Sequence, residues 1–406
     1  MANVLGNYNP SFFANEALIQ LFKTLGMAAR VHRGAEEDRN SNGRSLGDTI
    51  NIRRPSTFTA EQHVAGTGSS TQDVVGNNVA ITLDQHYEVK FKLSDVELAY
   101  SGERIINEHI VPAAYAMGDN IDAALYTLGA KVGPKTTVSG TAAASFITGP
   151  RKVLAGNAVP MDQNIHYMVD TGMEAALLDL GIFHEARIVG APDNQAALMN
   201  GSLGRRFGVE VFTSQNADTA KTAISSTGTA SAATGDLLGA TVGATAANVN
   251  TMSVDSFGTI ETVSIGDVFN VAGDTTDYIL TADVTFSGGA GTLTFFPTMR
   301  KNVAALAIVT LKILTAIDEA AHLQNLMFHR NAFALAFAPL PRTGDGVSAS
   351  IDTVTDPISG ISIRARMWYD GTTATNFVAL DALYGVQVLD PMLATRIHRA
   401  TTVYPA

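Results

Sequence analysis

The chain has 406 residues, 27 Lys plus Arg against 38 Asp plus Glu for a formal net charge of −11, 46% hydrophobic and only 16% charged residues, and no cysteine. That composition excludes disorder along the whole length, a disulfide scaffold, a thiolate metal site and a Cys nucleophile, and a pI near 5.2 excludes a basic nucleic-acid binder of the usual sort. The length allows roughly two to four structural units, and the scarcity of charge against a typical ~25% points to surface covered by other subunits.

Residues 11–25 carry Phe12, Phe13, Ala17, Leu18, Leu21, Phe22 and Leu25 at helical spacing, with Ser11 to cap the start and Gly26 to stop it. Ahead of a polar, Arg-rich run, such a helix is placed to dock on its own core or on a partner alike. Residues 30–48 are charged and broken by Gly34, Gly43 and Gly47. Residues 49–54 read as a strand ended by Pro55, and 55–78 are rich in Gly, Ser, Thr, Gln and Asn. Val79, Ile81 and Leu83, then Tyr87, Val89, Phe91 and Leu93, alternate with polar or small residues and predict one long strand. Two strands joined by so long a polar excursion make a protruding hairpin. Such loops are uncommon in compact domains unless functional, and a lone hairpin is marginal without a neighbour to support it.

Ser94-Asp95-Val96-Glu97 is a capping box opening a short helix that ends near Gly102. Ile110, Ala114, Met117, Ile121, Leu125 and Leu128 then define the longest periodic segment, a helix stopping near Gly133-Pro134, with Pro112 in its early turns. Across 145–220 helices at 146–155, 172–180 and 192–200 alternate with strands at 165–170 and 207–213. Residues 221–250 are Ala/Thr/Ser/Gly-rich, and short strands at 259–265, 268–271, 278–286 and 291–296 predict a small inserted β-barrel or sandwich. From Asp218 to Thr298 there is one Lys against eight acids, so −7 of the net charge lies there. Beyond it, 303–313 reads as a buried strand, 318–326 as a helix and 328–339 as apolar and partly β. Strands at 361–369 and 377–389 form a late hairpin expected to pair with the long early helix.

No catalytic constellation is present: there is no Walker A loop, GxGxxG after a strand, GxSxG, HExxH or EF-hand loop. His322 and His329 are seven apart beside Phe328, Ala332 and Phe333, which reads as core or interface. Asp274 and Asp277 lack the alternating oxygen ligands of a Ca²⁺ loop and read as a turn. Met1 to Pro10 carries no base and no apolar h-region, so no secretory signal is expected. The longest apolar stretches, 303–311 and 332–340, are far below the ~18–20 residues of a membrane span.

The ordered set resembles the HK97-like viral coat fold, and the acidic β insertion resembles that of the phage P22 coat-protein family. The segments that carry the likeness are Gly204-Arg205-Arg206-Phe207-Gly208-Val209-Glu210-Val211, the run from Asn325 through Phe328-His329-Arg330 to Leu335, and Leu383-Tyr384-Gly385-Val386. The low-complexity run at 221–250 departs from a compact insertion. The resemblance implies an α+β fold: an N-terminal arm at 1–40, an extended loop at 41–93, a spine-helix peripheral domain at 94–135 and 351–395, an axial domain at 136–220 and 303–350, an inserted small all-β, barrel-like domain at 221–302 facing outward, and a C-terminal tail at 396–406. It implies a structural major capsid protein of a tailed double-stranded DNA phage, not an enzyme, with no cofactor, metal or membrane partner. Its implied partners are copies of itself in hexamers and pentamers of an icosahedral shell, a scaffolding protein, a portal protein, packaged DNA held non-specifically and, on the outside, a decoration protein. A procapsid assembled in the host bacterial cytoplasm would expand on packaging. The resemblance assigns assembly and scaffold contacts to Phe12, Phe13, Leu18, Leu21, Phe22, Arg30 and Arg33. It assigns inter-subunit loop contacts to Arg53, Arg54, Phe58, Lys90 and Lys92, with the two lysines expected in ion pairs. Two other readings stand beside it: an encapsulin-like nanocompartment shell, which shares the fold, and an extracellular surface or adhesin protein, against which the missing signal and the long helix argue.

Overall fold

The computed structural model describes residues 10–33, 46–54, 77–94, 109–138, 143–181, 203–218, 237–241, 244–246, 249–255, 262–263, 268–274, 278–287, 290–299, 301–312, 324–340, 349–356, 360–372 and 375–399. They form a mixed α+β structure in two compact units.

The first unit takes Met1–Leu25, His32–Ile121 and Ala334–Leu389. Its sheet runs in the order Phe333–Ala338, Thr375–Val388, Ser362–Asp370, Ala349–Thr355, and Gln85–Ser94 pairs with the long Thr375–Val388 strand as well. The N-terminal helix, Pro10–Thr24, packs on Ala349–Thr355 and Ser362–Asp370. Its buried face is Phe13, Ala14, Ala17, Leu18 and Leu21, and full burial of a Leu or Phe is worth about 1.5–3 kcal/mol.

The expected hairpin is present: Thr49–Arg54 pairs antiparallel with Asn77–Thr82, from Thr49 opposite Thr82 to Arg54 opposite Asn77. The single strand expected from Val79 to Leu93 is two. At Leu83 the chain leaves the hairpin, with its N–H on the Asp48 carbonyl and its own carbonyl accepting from Gly47 N. It resumes as Gln85–Ser94 against the sheet. Alternation keeps its phase across the break, so periodicity marks the strands and hides the change of partner. Lys90 and Lys92 therefore lie on the sheet rather than on the extended loop. Ile50, Ile81 and Leu83 anchor the hairpin base among Ala334, Ala336, Ala338, Leu383 and Leu389. Gly385 permits that approach: a Cβ there would lie 2.2 Å from the Thr82 carbonyl oxygen.

The long helix spans Val111–Thr127 and tightens into a 3₁₀ turn at Leu128–Lys131. All six residues of its predicted stripe are buried, and Pro112 is its second residue, where no helical bond is lost. The short helix expected from the capping box lies outside the described residues, as does that at 192–200.

The second unit takes Gly26–Val31, Asp122–Phe333 and Asp390–Ala406. Its six-stranded sheet has the order Lys135–Val138, Ala394–Arg399, Gln324–His329, Ile165–Val169, Val209–Thr213, Arg205–Arg206. The pairings of Lys135–Val138 with Ala394–Arg399 and of Ile165–Val169 with Val209–Thr213 are parallel. Helices Ser145–Gly156 and Thr171–Leu178 close the core with Phe146, Ile147, Leu154, Met173 and Leu177 around Tyr167, Met327 and Ile397. Asp170 caps the second helix, its carboxylate accepting from Met173 N. Two boundaries differ from expectation. Gln324–Leu326, expected as helix, opens a strand; Asn325 through Phe328 are buried without alternation, and a continuous buried run carries no period. The expected C-terminal tail begins inside the sheet, where Arg396 to Arg399 face Lys135 to Val138.

The insertion is a closed six-stranded barrel in the order Val268–Val271, Tyr278–Leu280, Gly291–Phe296, Thr251–Asp255, Leu237–Thr241, Ile308–Lys312 and back to the first. Its centre is an aromatic triad, Phe269, Tyr278 and Phe295, with ring centroids 5.3–5.5 Å apart. Met252, Val254, Val271, Leu280, Leu293 and Val309 complete it. Three strands were not expected in it. Thr251–Asp255 precedes every strand predicted for the insertion. Leu237–Thr241 comes from the low-complexity run, and Ile308–Lys312, assigned above to the axial part, closes the barrel. The insertion thus extends at least to Lys312.

Candidate functional site

Among the described residues no three His, Cys, Asp or Glu converge as a metal site, and no helix is long and apolar enough to cross a membrane. The candidate functional features are surfaces.

On the N-terminal helix the apolar stripe divides. Phe13, Leu18 and Leu21 are at most 8% exposed, whereas Phe12 is 42% and Ile19 50% exposed. The face open to a partner is therefore Phe12 and Ile19, seven residues apart and on one side. The inward half is taken up by the chain's own core. Sequence spacing names the stripe and not which half faces in. The Phe22 side chain lies outside the described residues.

After the helix, Arg30 is fastened rather than free. Its Nη2 and Nε donate to Glu210 Oε1 at 2.7 and 3.0 Å, its Nη1 donates to the Gly26 carbonyl at 2.9 Å, and its guanidinium lies 4.2 Å from the Phe212 ring centroid. Glu210 also meets His166 Nδ1 at 3.1 Å, across the parallel pairing of their strands. Burial drives the His166 pKa down to about 4; Glu210 opposes that shift and Arg30 adds to it. Burial pushes the Glu210 carboxyl up, but the Arg30 hydrogen bond and charge and the His166 contact leave it lowered. The same segment is tied a second time, by Gly26 N and Ala28 N donating to the buried Asp122 carboxylate at 2.7 and 2.8 Å. Arg33 is half-buried. His329 is buried, with Nε2 3.3 Å from Asp162 Oδ1.

The first unit's sheet carries a charged network on one side. Asp381, fully buried, accepts from Arg364 Nη2 at 2.5 Å and Nε at 3.1 Å, and lies 3.4 Å from Arg366 Nε and 3.5 Å from His86 Nε2. Arg366 also reaches Glu88 at 2.9 Å. Next to it, Trp368 and Phe377 stack at 5.3 Å, and Lys90 Nζ sits 4.6 Å and 4.9 Å from their centroids. Lys90 is held by rings, where an ion pair was expected. Lys92 is exposed on the same strand. Arg53 and Arg54 end the hairpin strand; their side chains, and Phe58, lie outside the described residues. Sequence reasoning passed over Asp381, Glu210 and Trp368. Arg364, Arg366 and Trp368 do alternate with Ile363, Ala365 and Met367, a legible two-sided strand, but the acid that answers them sits on the next strand.

Two large apolar residues among those described on the second unit combine positive φ with exposure. Phe207, φ 51° and 40% exposed, shares a two-residue hairpin turn with Gly208. Leu306, φ 60° and 74% exposed, precedes the last barrel strand.

No family model matches the chain, and no curated protein matches it. Solved structures do. A structure of Mycobacterium phage Che8 is similar at 15% identity, over 92% of this chain and 90% of that one, with a TM-score of 0.44. The asymmetric unit of the bacteriophage PhiM1 mature capsid is similar at 12% identity over 90% and 87%, TM-score 0.43. The crystal structure of a virus-like particle from Pyrococcus furiosus is similar at 6% identity over 95% and 98%, TM-score 0.37.

Proposed function

We propose that this chain is a shell-forming coat subunit with an HK97-like fold, the major capsid protein of a tailed double-stranded DNA phage, of the P22 kind that carries an inserted domain. The reading is carried by the order of elements in this chain: a partner-ready helix, a long hairpin with a polar excursion, a striped spine helix, an α/β sheet, an inserted barrel, and return strands that rejoin both sheets. Each early element is completed by a late one, as when Gln85–Ser94 pairs with Thr375–Val388. The hairpin strands emerge at Arg54 and Asn77 and need lateral support that a neighbouring copy supplies.

The chemistry fits a container. A shell must hold DNA without gripping it, because phosphate contacts bind in proportion to the cations offered. This chain is acidic overall, and Arg30, Arg364 and Arg366 are each committed to carboxylates. The scaffolding protein docks on the Phe12–Ile19 face, a portal occupies one vertex, and packaging expands the procapsid in the host cytoplasm.

The test is co-expression with its proposed scaffolding partner, followed by negative-stain electron microscopy. Closed icosahedral particles are expected; a protein that stays monomeric with its scaffold overturns the reading.

A further inference from the structure

We infer that the segment Gly26–Val31 is an acid-loosened strap: protonation of His166 draws Glu210 away from Arg30 and frees the segment from the second unit's sheet.

The strap is short and fastened at named atoms. The chain belongs to the second unit from Gly26 to Val31, whereas Leu25 and His32 on either side belong to the first. Met27, Ala28 and Val31 are buried. The Asp122 carboxylate accepts from Gly26 N and Ala28 N. Glu210 accepts from Arg30 through two nitrogens, and the Phe212 ring lies under the guanidinium. Glu210 also touches a group that becomes a cation in acid, with His166 Nδ1 3.1 Å from its Oε2.

Placement decides which partner yields. His166 stands in Ile165–Val169, an interior strand flanked by Gln324–His329 and Val209–Thr213. Gln324–His329 sets the Phe328 ring beside it, with centroids 5.8 Å apart. An imidazole held this way stays where it is when it gains a proton. Arg30 closes the strap with its side chain 25% exposed, and its head reaches water by a change of rotamer.

Among the described residues the charged groups that face His166 are Glu210 from Val209–Thr213, Arg30 from the strap and Arg205 from the edge strand Arg205–Arg206. With His166 neutral, one carboxylate meets two guanidiniums. With His166 protonated, three cations surround that carboxylate, and Arg30 is the one free to leave. Every histidine charges on acidification, so the direction follows from the geometry. Burial moves the event down to about pH 4, and Arg30 contributes to the delay. The coupling is mutual: a docked Arg30 that opposes the proton is opposed by it to the same factor.

The chain contains no cysteine, so a nitroxide label can be set at a single chosen position in the full-length protein. Ala29→Cys places it on the strap and Ser253→Cys on a barrel strand, both at exposed positions. From about pH 7 to about pH 4.5 the ratio of mobile to immobile label at position 29 is expected to rise about fivefold or more, with the label at position 253 unchanged. His166→Phe is expected to keep the strap label immobile across that range, and Glu210→Gln to mobilise it at both ends. A strap label that ignores pH in the folded protein overturns the inference. So does one that responds equally in a folded His166→Phe or His166→Gln protein, or labels that loosen together at both positions. The reciprocal measurement needs no label: Arg30→Gln is expected to raise the His166 titration midpoint, followed by histidine NMR, toward the ordinary 6.5. An unmoved midpoint overturns the coupling.

Discussion

Glu210 is the hinge of the residue-scale account, because it answers two groups far from it in the chain: Arg30, 180 positions away, and His166 on the neighbouring strand. His166 carries a pH dependence whose sign follows from its environment. Burial holds it neutral down to about 4, against an ordinary value of 6.5. Between those two values the unfolded chain binds a proton that the folded chain refuses, so stability falls as pH drops through that window. Glu210 adds to the loss below it, since its lowered carboxyl favours the fold only while ionised. Urea midpoints measured from about pH 7 to about pH 4.5 are expected to fall, and His166→Phe is expected to flatten the part above pH 5 or so. Asp381 gives a second residue-scale prediction. A fully buried carboxylate with two arginines leaves uncompensated charge when removed, so Asp381→Ala is expected to destabilise by about 3–5 kcal/mol. The double change Asp381→Leu with Arg364→Met is expected to recover part of that in the same unfolding assay. None of these pairs was legible in the sequence. The charges were visible, but a pairing across 180 residues has no local signature.

At the scale of elements, the N-terminal helix separates two properties that its sequence runs together. Leu21 is fully buried and Phe12 is largely exposed. Leu21→Ala is therefore expected to lower stability by about 2–5 kcal/mol, and Phe12→Ala to leave the stability within about 0.5 kcal/mol while reducing binding to the proposed scaffolding partner in a pull-down. Gly385→Ala tests the hairpin base. Its new Cβ meets backbone, not a movable side chain, so a marked drop in thermal midpoint is expected. Helices were the best-read elements, because a stripe such as Ile110 to Leu128 declares both a face and a length. Strands were read where they alternate and misjudged where they do not. The run from Asn325 to Phe328 is buried on both sides, and Leu237–Thr241, with its Gly and Ala, sits in a stretch whose composition resembles a linker. Its membership in the barrel depends on the partners Thr251–Asp255 and Ile308–Lys312 rather than on its own residues.

For the whole molecule, the acidity is local. The stretch from Asp218 to Thr298 carries −7 of the −11, whereas the barrel itself, Leu237–Lys312, holds six acids against three bases, and the two sheets are completed by strands contributed from opposite ends of the chain. That late completion explains why the order of features was readable in one pass while domain edges were not. Partners that close a sheet appear hundreds of residues after the strands they close.

The barrel's first and last strands are themselves neighbours, Leu237 opposite Leu311 and Ala240 opposite Ile308. The chain enters and leaves through a doorway one inter-strand spacing wide, about 5 Å. The module is thus a cartridge: any domain with adjacent termini can be seated in its place. One mark of the seat stays behind. Ile279 points out of the barrel and fills the space over Gly133, where a Cβ would lie 2.0 Å from its side chain. Gly133→Ala is expected to destabilise the intact protein and to be tolerated once the cartridge is exchanged, and thermal melts of the two backgrounds read out that difference.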